Sequence, residues 1–72
     1  MGSKYPVLPP QKIIKVLENN GFRFVSQKGS HLKYIKDSYV VIIPNHNEIA
    51  KGTLKSILNM AHIEIEEFLS EL

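Results

Sequence analysis

Two short turn signals in the middle of the chain constrain its fold more than any other feature. Gly29-Ser30 fits the two central positions of a type II′ hairpin, which requires glycine at the first of them. Asp37-Ser38 provides a second turn of the same length. Around these turns, β-branched and aromatic residues predict strands over residues 22–27, 31–36 and 39–43, the last of them stopped by Pro44. Turns this short join antiparallel neighbours, so the segment predicts a three-stranded antiparallel sheet.

Helical patterns flank the predicted sheet on both sides. The first helix follows Pro9-Pro10 and ends before Gly21, and the second begins near Gly52-Thr53. A short third helix closes the chain. The apolar positions at helical spacing are Ile13, Ile14, Val16 and Leu17, then Leu54, Ile57, Leu58 and Ala61, then Ile65, Phe68, Leu69 and Leu72. This order predicts an α+β fold, α-β-β-β-α plus a short C-terminal helix, with the helices on one sheet face as in the double-stranded-RNA-binding domain.

Length and residue usage limit what the chain can be. Its 72 residues suit one domain, which we expect over 9–72, after a tail over 1–8 whose residues 1–3 resemble an expression-tag remnant. The absence of cysteine suits a reducing cytoplasm and leaves no thiolate zinc site. No apolar run approaches the roughly 20 residues that span a bilayer. We therefore expect a cytoplasmic protein with no membrane partner.

Charge divides the chain into a basic body and an acidic end. Up to Ile63 there are nine lysines and arginines against three acids, an excess of six positive charges. Four glutamates then follow within the last nine residues, at Glu64, Glu66, Glu67 and Glu71. A basic body of this kind favours a polyanionic partner, although a solvated basic surface has the same composition.

The first turn gathers polar side chains at one end of the sheet. In the predicted hairpin, Lys28 lies directly opposite His31, and Ser26 and Lys33 share their face because side chains alternate along a strand. The other face is expected to pair Val25 with Tyr34 and Gln27 with Leu32. This register also places Phe22, Phe24 and Ile35 on the polar face, which is an internal conflict.

Such a cluster suits a phosphodiester. Ammonium groups neutralise phosphate and stabilise the extra negative charge of a pentacoordinate transition state, and an imidazole titrates near neutral pH. RNA supplies its own nucleophile in the 2′-hydroxyl, so neither a metal nor another cofactor is needed. Alternatively, His31 is simply a residue that an exposed turn tolerates.

Three other positions carry weaker signals. His46 lies in the polar loop before the second helix and is either a second acid or base group or a solvated loop residue. Lys51-Gly52-Thr53 opens that helix and suits a phosphate, while Thr53 also suits a helix cap. His62 follows the helix, where its charge favours the negative end of the helix dipole. The histidines and acids are not spaced as metal ligands, so no metal is expected.

These residues resemble the HicA family of toxins from bacterial and archaeal toxin–antitoxin pairs. The resemblance runs from Pro10 to Leu69 and rests on ordered blocks of sequence. These are NNGF after the first helix, QKGSH with Tyr34 shortly after it, IPNH, KGTLKSIL at the second helix, and IEEFL near the end.

By this resemblance the chain is an mRNA interferase, an endoribonuclease held in check by a HicB-like antitoxin, with His31 as its catalytic residue. Its partners are then mRNA and the antitoxin, with no small-molecule substrate, and the antitoxin is expected to direct carboxylates at Lys28 and Lys33. RNA contacts are expected at Lys28, Ser30, Lys33, Lys51, Gly52 and Thr53, and at Tyr34 if that ring is exposed to stack on a base. His46 is the first candidate for a second acid or base.

The chain also departs from the family pattern. Ser26 stands where the family commonly has arginine, and Asp37-Ser38 makes the second hairpin short. Neither departure removes the proposed chemistry. Two other functions stay open beside it. One is a non-catalytic RNA-binding module of the same fold, and the other is an inactive relative that serves as a protein–protein adaptor.

Overall fold

The computed structural model describes residues 5–72 as a three-stranded sheet with helices on one side. The elements in chain order are α1 (Pro10–Asn19), β1 (Arg23–Lys28), β2 (His31–Lys36), β3 (Tyr39–Pro44), α2 (Lys51–Ala61) and α3 (Ile65–Ser70). The sheet order is β1-β2-β3, with both pairs antiparallel. The predicted α+β architecture is confirmed, and the expected tag remnant at residues 1–3 lies outside the described residues.

Both strand connections are two-residue turns. Lys28 pairs with His31 around the first turn and Lys36 pairs with Tyr39 around the second. Gly29 has φ 60° and Asp37 has φ 53°, while the second central residue of each turn has no positive φ. Positive φ at the first central position alone is the mark of a type II′ turn, which confirms the prediction for Gly29-Ser30.

A β-bulge in β1 changes the predicted register. Phe24 pairs with Tyr34 and Ser26 pairs with Lys33, so Val25 is an extra residue between them. The predicted pairing of Val25 with Tyr34 is therefore wrong. An extra residue inverts the alternation of side chains, which turns the phenylalanine side of β1 towards the helices. The rings of Phe24 and Tyr34 then meet edge to face, with centroids 5.7 Å apart. The bulge thus takes the phenylalanines off the polar face, while Ile35 on β2 stays on it.

The ends of α1 and α2 are closed by the same backbone motif. After α1, Gly21 has φ 94° and the amide of Phe22 donates to the carbonyl of Leu17 at 3.0 Å, as in a Schellman motif. After α2, the corresponding position is His62, with φ 59°. Histidine tolerates this left-handed backbone better than most residues, and its ring stacks on Tyr39 with centroids 4.2 Å apart.

The beginning of α2 differs from the sequence prediction. The helix begins at Lys51, one residue before the expected Gly52-Thr53, and its N-cap is Ala50. Alanine has no side-chain acceptor, and Thr53 is not the N-cap residue, so the suggested cap by Thr53 is wrong. The amides of the first turn therefore receive no bond from the N-cap side chain.

One core fills the space between the helices and the sheet. The strands contribute Leu32, Tyr34, Val41 and Ile43, and the helices contribute most of the remaining buried side chains. In α3 the predicted apolar stripe ends at Phe68, because Leu69 is 39% exposed and Leu72, beyond the helix, is 53% exposed.

Part of the predicted N-terminal tail is attached to this core. The amide of Ile49 donates to the carbonyl of Leu8 at 2.7 Å, and Tyr5 and Leu8 pack against the buried cluster. No helix within residues 5–72 is long and apolar enough to cross a membrane.

Candidate active site on the open face of the sheet

The sheet has one face that the helices do not cover, which we call the open face. The strand register assigns nine residues to it, and none of them is buried. They are Arg23, Ser26, Lys28, His31, Lys33, Ile35, Val40, Ile42 and Pro44. The set contains four basic side chains and no carboxylate, so the open face favours an anion.

A shallow depression of about 570 Å³ lies at the hairpin end of the open face. It is lined by Ser26, Lys28, His31, Lys33 and Ile42. The four polar side chains that the sequence predicted together are thus brought together by the structure. The fifth, Ile42, was not predicted. The sequence does indicate it, because the residues of β3 are apolar on both faces of the strand. One of these aliphatic side chains must therefore lie on the open face.

The backbone of the hairpin tip is fixed from two directions. The side-chain amide Nε2 of Gln27 donates to the carbonyl of Gly29 at 3.0 Å. The backbone amide of Asn45 donates to the carbonyl of Ser30 at 2.6 Å. These bonds tie the turn both to its own strand and to the loop after β3. His31, the first residue beyond the turn, therefore has a well-defined backbone position at the edge of the depression.

His46 and the start of α2 lie outside this lining. His46 is exposed and follows Asn45, which puts its backbone at the same end of the sheet as the hairpin tip. Lys51 and Gly52 are exposed, and Thr53 is half-buried. The predicted phosphate contacts thus fall in three places. Lys28 and Lys33 line the depression, Ser30 lies in the hairpin turn outside the lining, and the remaining three residues lie at the start of α2.

Tyr34 lies on the opposite face of the sheet from His31. It is only 5% exposed and belongs to the core. Burial, and to a lesser degree the carboxylate of Glu18, raises the pKa of its hydroxyl above the ordinary 10.0. Stacking on a base was expected only for an exposed ring, so Tyr34 is not available for that contact. The side chains that the open face offers to a base instead are aliphatic, with the guanidinium of Arg23 at its far end.

The glutamates at the C-terminal end lie on the helix side of the molecule. Glu71 accepts hydrogen bonds from the side-chain amide of Asn20 at 3.1 and 3.2 Å, which joins the C-terminal end to α1. A second depression, of about 280 Å³, is lined by residues that include His62 and Glu64 but no lysine or arginine. Its charge does not favour a phosphate, so the open face is the better candidate site.

Comparison with known proteins agrees with this geometry. A family model described as the HicA toxin of bacterial toxin–antitoxin systems matches residues 10–63, well over half of the chain. The matched segment contains α1, all three strands and α2, and therefore the whole depression. A comparison with curated proteins finds no match.

Proposed function

The chain belongs to the HicA toxin family of bacterial toxin–antitoxin systems, and from this premise we propose that it is an endoribonuclease that cleaves mRNA in the cytoplasm without a metal. Membership of such a family implies an antitoxin partner. The observation that carries the proposal is the depression in which His31 lies beside two lysines on a face without carboxylates. This combination offers proton transfer and phosphate binding at one place.

The proposed reaction uses the RNA as its own nucleophile. The 2′-oxygen attacks the adjacent phosphorus, and the bond from phosphorus to the 5′-oxygen breaks, which leaves a 2′,3′-cyclic phosphate. One proton leaves the 2′-hydroxyl and another reaches the departing 5′-oxygen. His31 either accepts the first proton or donates the second. A single imidazole cannot do both at once, so a second group is required, with His46 as the first candidate and solvent as the second.

The lysines of the depression hold the phosphate. Lys28 is the cross-strand partner of His31, and Lys33 is two residues along β2 on the same face. Their ammonium groups would stabilise the charge that accumulates on the phosphoryl oxygens. Ser30 at the tip and the residues Lys51 to Thr53 at the uncapped start of α2 would bind neighbouring phosphates. Ile42 would contact the base next to the cleaved bond.

The test compares His31→Ala with His62→Ala, a control on the helix side. His31 is exposed, so its loss should change the free energy of unfolding by only about 0.5 kcal/mol. RNA cleavage in the presence of EDTA should fall by about 10²- to 10⁴-fold, while RNA affinity persists because the lysines remain. His62→Ala should retain cleavage, and expression of the wild type alone should arrest cell growth.

Thermal melting, RNA affinity and cleavage rate on the same proteins distinguish the alternatives. If His31→Ala unfolds the domain, the histidine is structural. If the variant folds and cleaves at the wild-type rate, His31 is not the catalytic residue. If the wild type binds RNA without cutting it, the protein is a binding module. A wild type that neither binds nor cleaves RNA is an adaptor.

A further inference from the structure

The outer edge of β3 presents unpaired backbone groups beside the candidate active site. In a two-residue hairpin the residues that flank the turn form a hydrogen-bonded pair, and such pairs alternate along the ladder. Lys36 and Tyr39 are that pair, and the bond from Asn45 to the carbonyl of Ser30 continues the alternation. The amides and carbonyls of Val40 and Ile42 therefore point away from β2. Within residues 5–72 no backbone hydrogen bond reaches them from that side.

The two edges of the sheet differ in how well they can accept another strand. β1 carries the bulge at Val25, a device that discourages pairing at an edge. β3 pairs regularly with β2 over all six of its residues and has no bulge. Its only proline, Pro44, is its last residue, at a position where the backbone nitrogen also points outward. Val40 and Ile42, 45% and 37% exposed, add apolar side chains to this open edge.

The charge of the neighbouring surface indicates what kind of chain fits this edge. The open face beside β3 carries Lys28, His31 and Lys33 with no carboxylate, so a second copy would bring like charges together. An added strand would lie roughly 10 Å from β2, a distance that a glutamate and a lysine side chain can bridge together. The edge therefore fits an extended segment that alternates apolar and acidic residues.

We propose that an extended segment of the antitoxin pairs with the outer edge of β3 as a fourth strand of the sheet. This proposal rests on the proposed function, because it assumes that the antitoxin binds at the open face of the sheet. Main-chain hydrogen bonds to Val40 and Ile42 supply affinity, and acidic side chains directed at Lys33 supply specificity. Because Ile42 lines the depression, a strand at this edge also restricts the access of RNA to His31.

Amide hydrogen exchange followed by NMR tests the pairing directly. The toxin is compared alone and in its purified complex with the co-expressed cognate antitoxin. The amides of Val40 and Ile42 should exchange quickly in the free toxin and at least about tenfold more slowly in the complex. The amides of Val41 and Ile43, which point to β2, should be protected in both. The amide of Gln27, on the outer edge of β1, serves as the matched control and should stay unprotected.

A pair of variants at one position tests the contribution of the edge to affinity. Val40→Pro removes an outward amide at an edge position that tolerates proline, and Val40→Thr keeps the amide and the branched shape. One lost hydrogen bond should weaken antitoxin binding about tenfold in Val40→Pro. Val40→Thr should stay within about twofold of the wild type. Equal affinities of the two folded variants would overturn the proposal.

Other outcomes also overturn it. A complex in which Val40 and Ile42 stay unprotected, or in which Gln27 is protected instead, places the antitoxin elsewhere. Protection of Val40 and Ile42 in the toxin alone, together with a dimer in sedimentation, makes a second copy the occupant. An RNA cleavage assay on the same toxin sample separates this proposal from the nuclease proposal. If the amides of Val40 and Ile42 are protected in the complex but the free toxin does not cleave RNA, only the nuclease proposal is wrong.

Discussion

At the scale of single residues, the proposed chemistry depends on a pair that a turn creates. Lys28 and His31 face each other because they flank the first hairpin, and Gln27 and Asn45 hold the turn between them in place. Only the two turn residues, Gly29 and Ser30, separate Lys28 from His31 along the chain. Their relative position depends little on distant parts of the fold.

A second residue-scale consequence concerns the hydroxyl of Tyr34, a residue of the core. Its pKa is raised above 10.0 in the folded protein, chiefly by burial and then by Glu18. The folded state therefore holds this proton more tightly than the unfolded state does. The stabilisation is fully present below pH 10 and is lost as the pH rises through the folded pKa.

Tyr34→Phe tests this dependence. Because phenylalanine has no proton to lose, the variant should lose less free energy of unfolding than the wild type between about pH 9 and about pH 11. Urea denaturation of both proteins at the two pH values measures the difference. The two proteins differ only in this hydroxyl, so the contributions of all other groups cancel in the comparison. Equal losses in the two proteins would show that Tyr34 is not shielded from solvent.

Some of these residue positions follow from the sequence and others do not. The cluster around His31 was predictable because a two-residue turn fixes the pairing of its neighbours locally. The predicted register also put Tyr34 on the sheet face opposite His31, where it is buried. The contribution of Ile42 was not predictable, because it depends on which sheet face the helices cover. That choice is made by packing between distant segments.

At the scale of elements, the hairpins, helix order and sheet order could be predicted because their signals are short-range. Turn chemistry at Gly29-Ser30 and apolar spacing in α1 and α2 sufficed for this. The bulge at Val25 could not be predicted from propensity, since valine favours regular strands as much as irregular ones. The start of α2 was misplaced for a similar reason, because Ala50 is an unusual residue at an N-cap.

Two glycines with different backbone geometry should respond oppositely to alanine. Gly29 has φ 60° and open space where a Cβ would lie, so Gly29→Ala should cost about 1–2 kcal/mol from backbone strain alone. Gly52 is helical and also has open space, so Gly52→Ala should stabilise the protein by about 0.5 kcal/mol.

Urea denaturation of the two variants beside the wild type measures both effects. The two substitutions add the same methyl group, so each serves as a control for the other. A stabilised Gly29→Ala would mean that the first turn does not require a positive φ.

At the scale of the whole molecule, charge is divided between two sides. The open face holds basic side chains, while the glutamates at the C-terminal end belong to the helix side through α3 and its contact with α1. The helix side also carries lysines, such as Lys15, but there they are accompanied by glutamates, so a polyanion is attracted more strongly to the open face. The net charge of +2 therefore understates the attraction that RNA meets at the open face.

Lys33→Ala should weaken RNA binding and reduce the slope of log affinity against log salt concentration by about 1, because one phosphate contact is lost. Cleavage at saturating RNA should persist in part. Lys15→Ala, which removes an exposed charge from α1 on the helix side, is the matched control and should leave the slope nearly unchanged. Titrations of both variants at several salt concentrations measure this, and equal slopes would mean that RNA does not bind at the open face.

The bulge in β1 also bears on how the length of this chain can vary in evolution. Without Val25, Phe24 could still face Tyr34 and Ser26 could still face Lys33, in an unbroken ladder. The deletion of Val25 would therefore leave Phe24 and Ser26 on the same sides of the sheet as before. The loss of one residue from β2 would instead exchange the buried and exposed sets of that strand. Val25 therefore marks a point of the sheet where the deletion of a single residue leaves the faces of its neighbours unchanged.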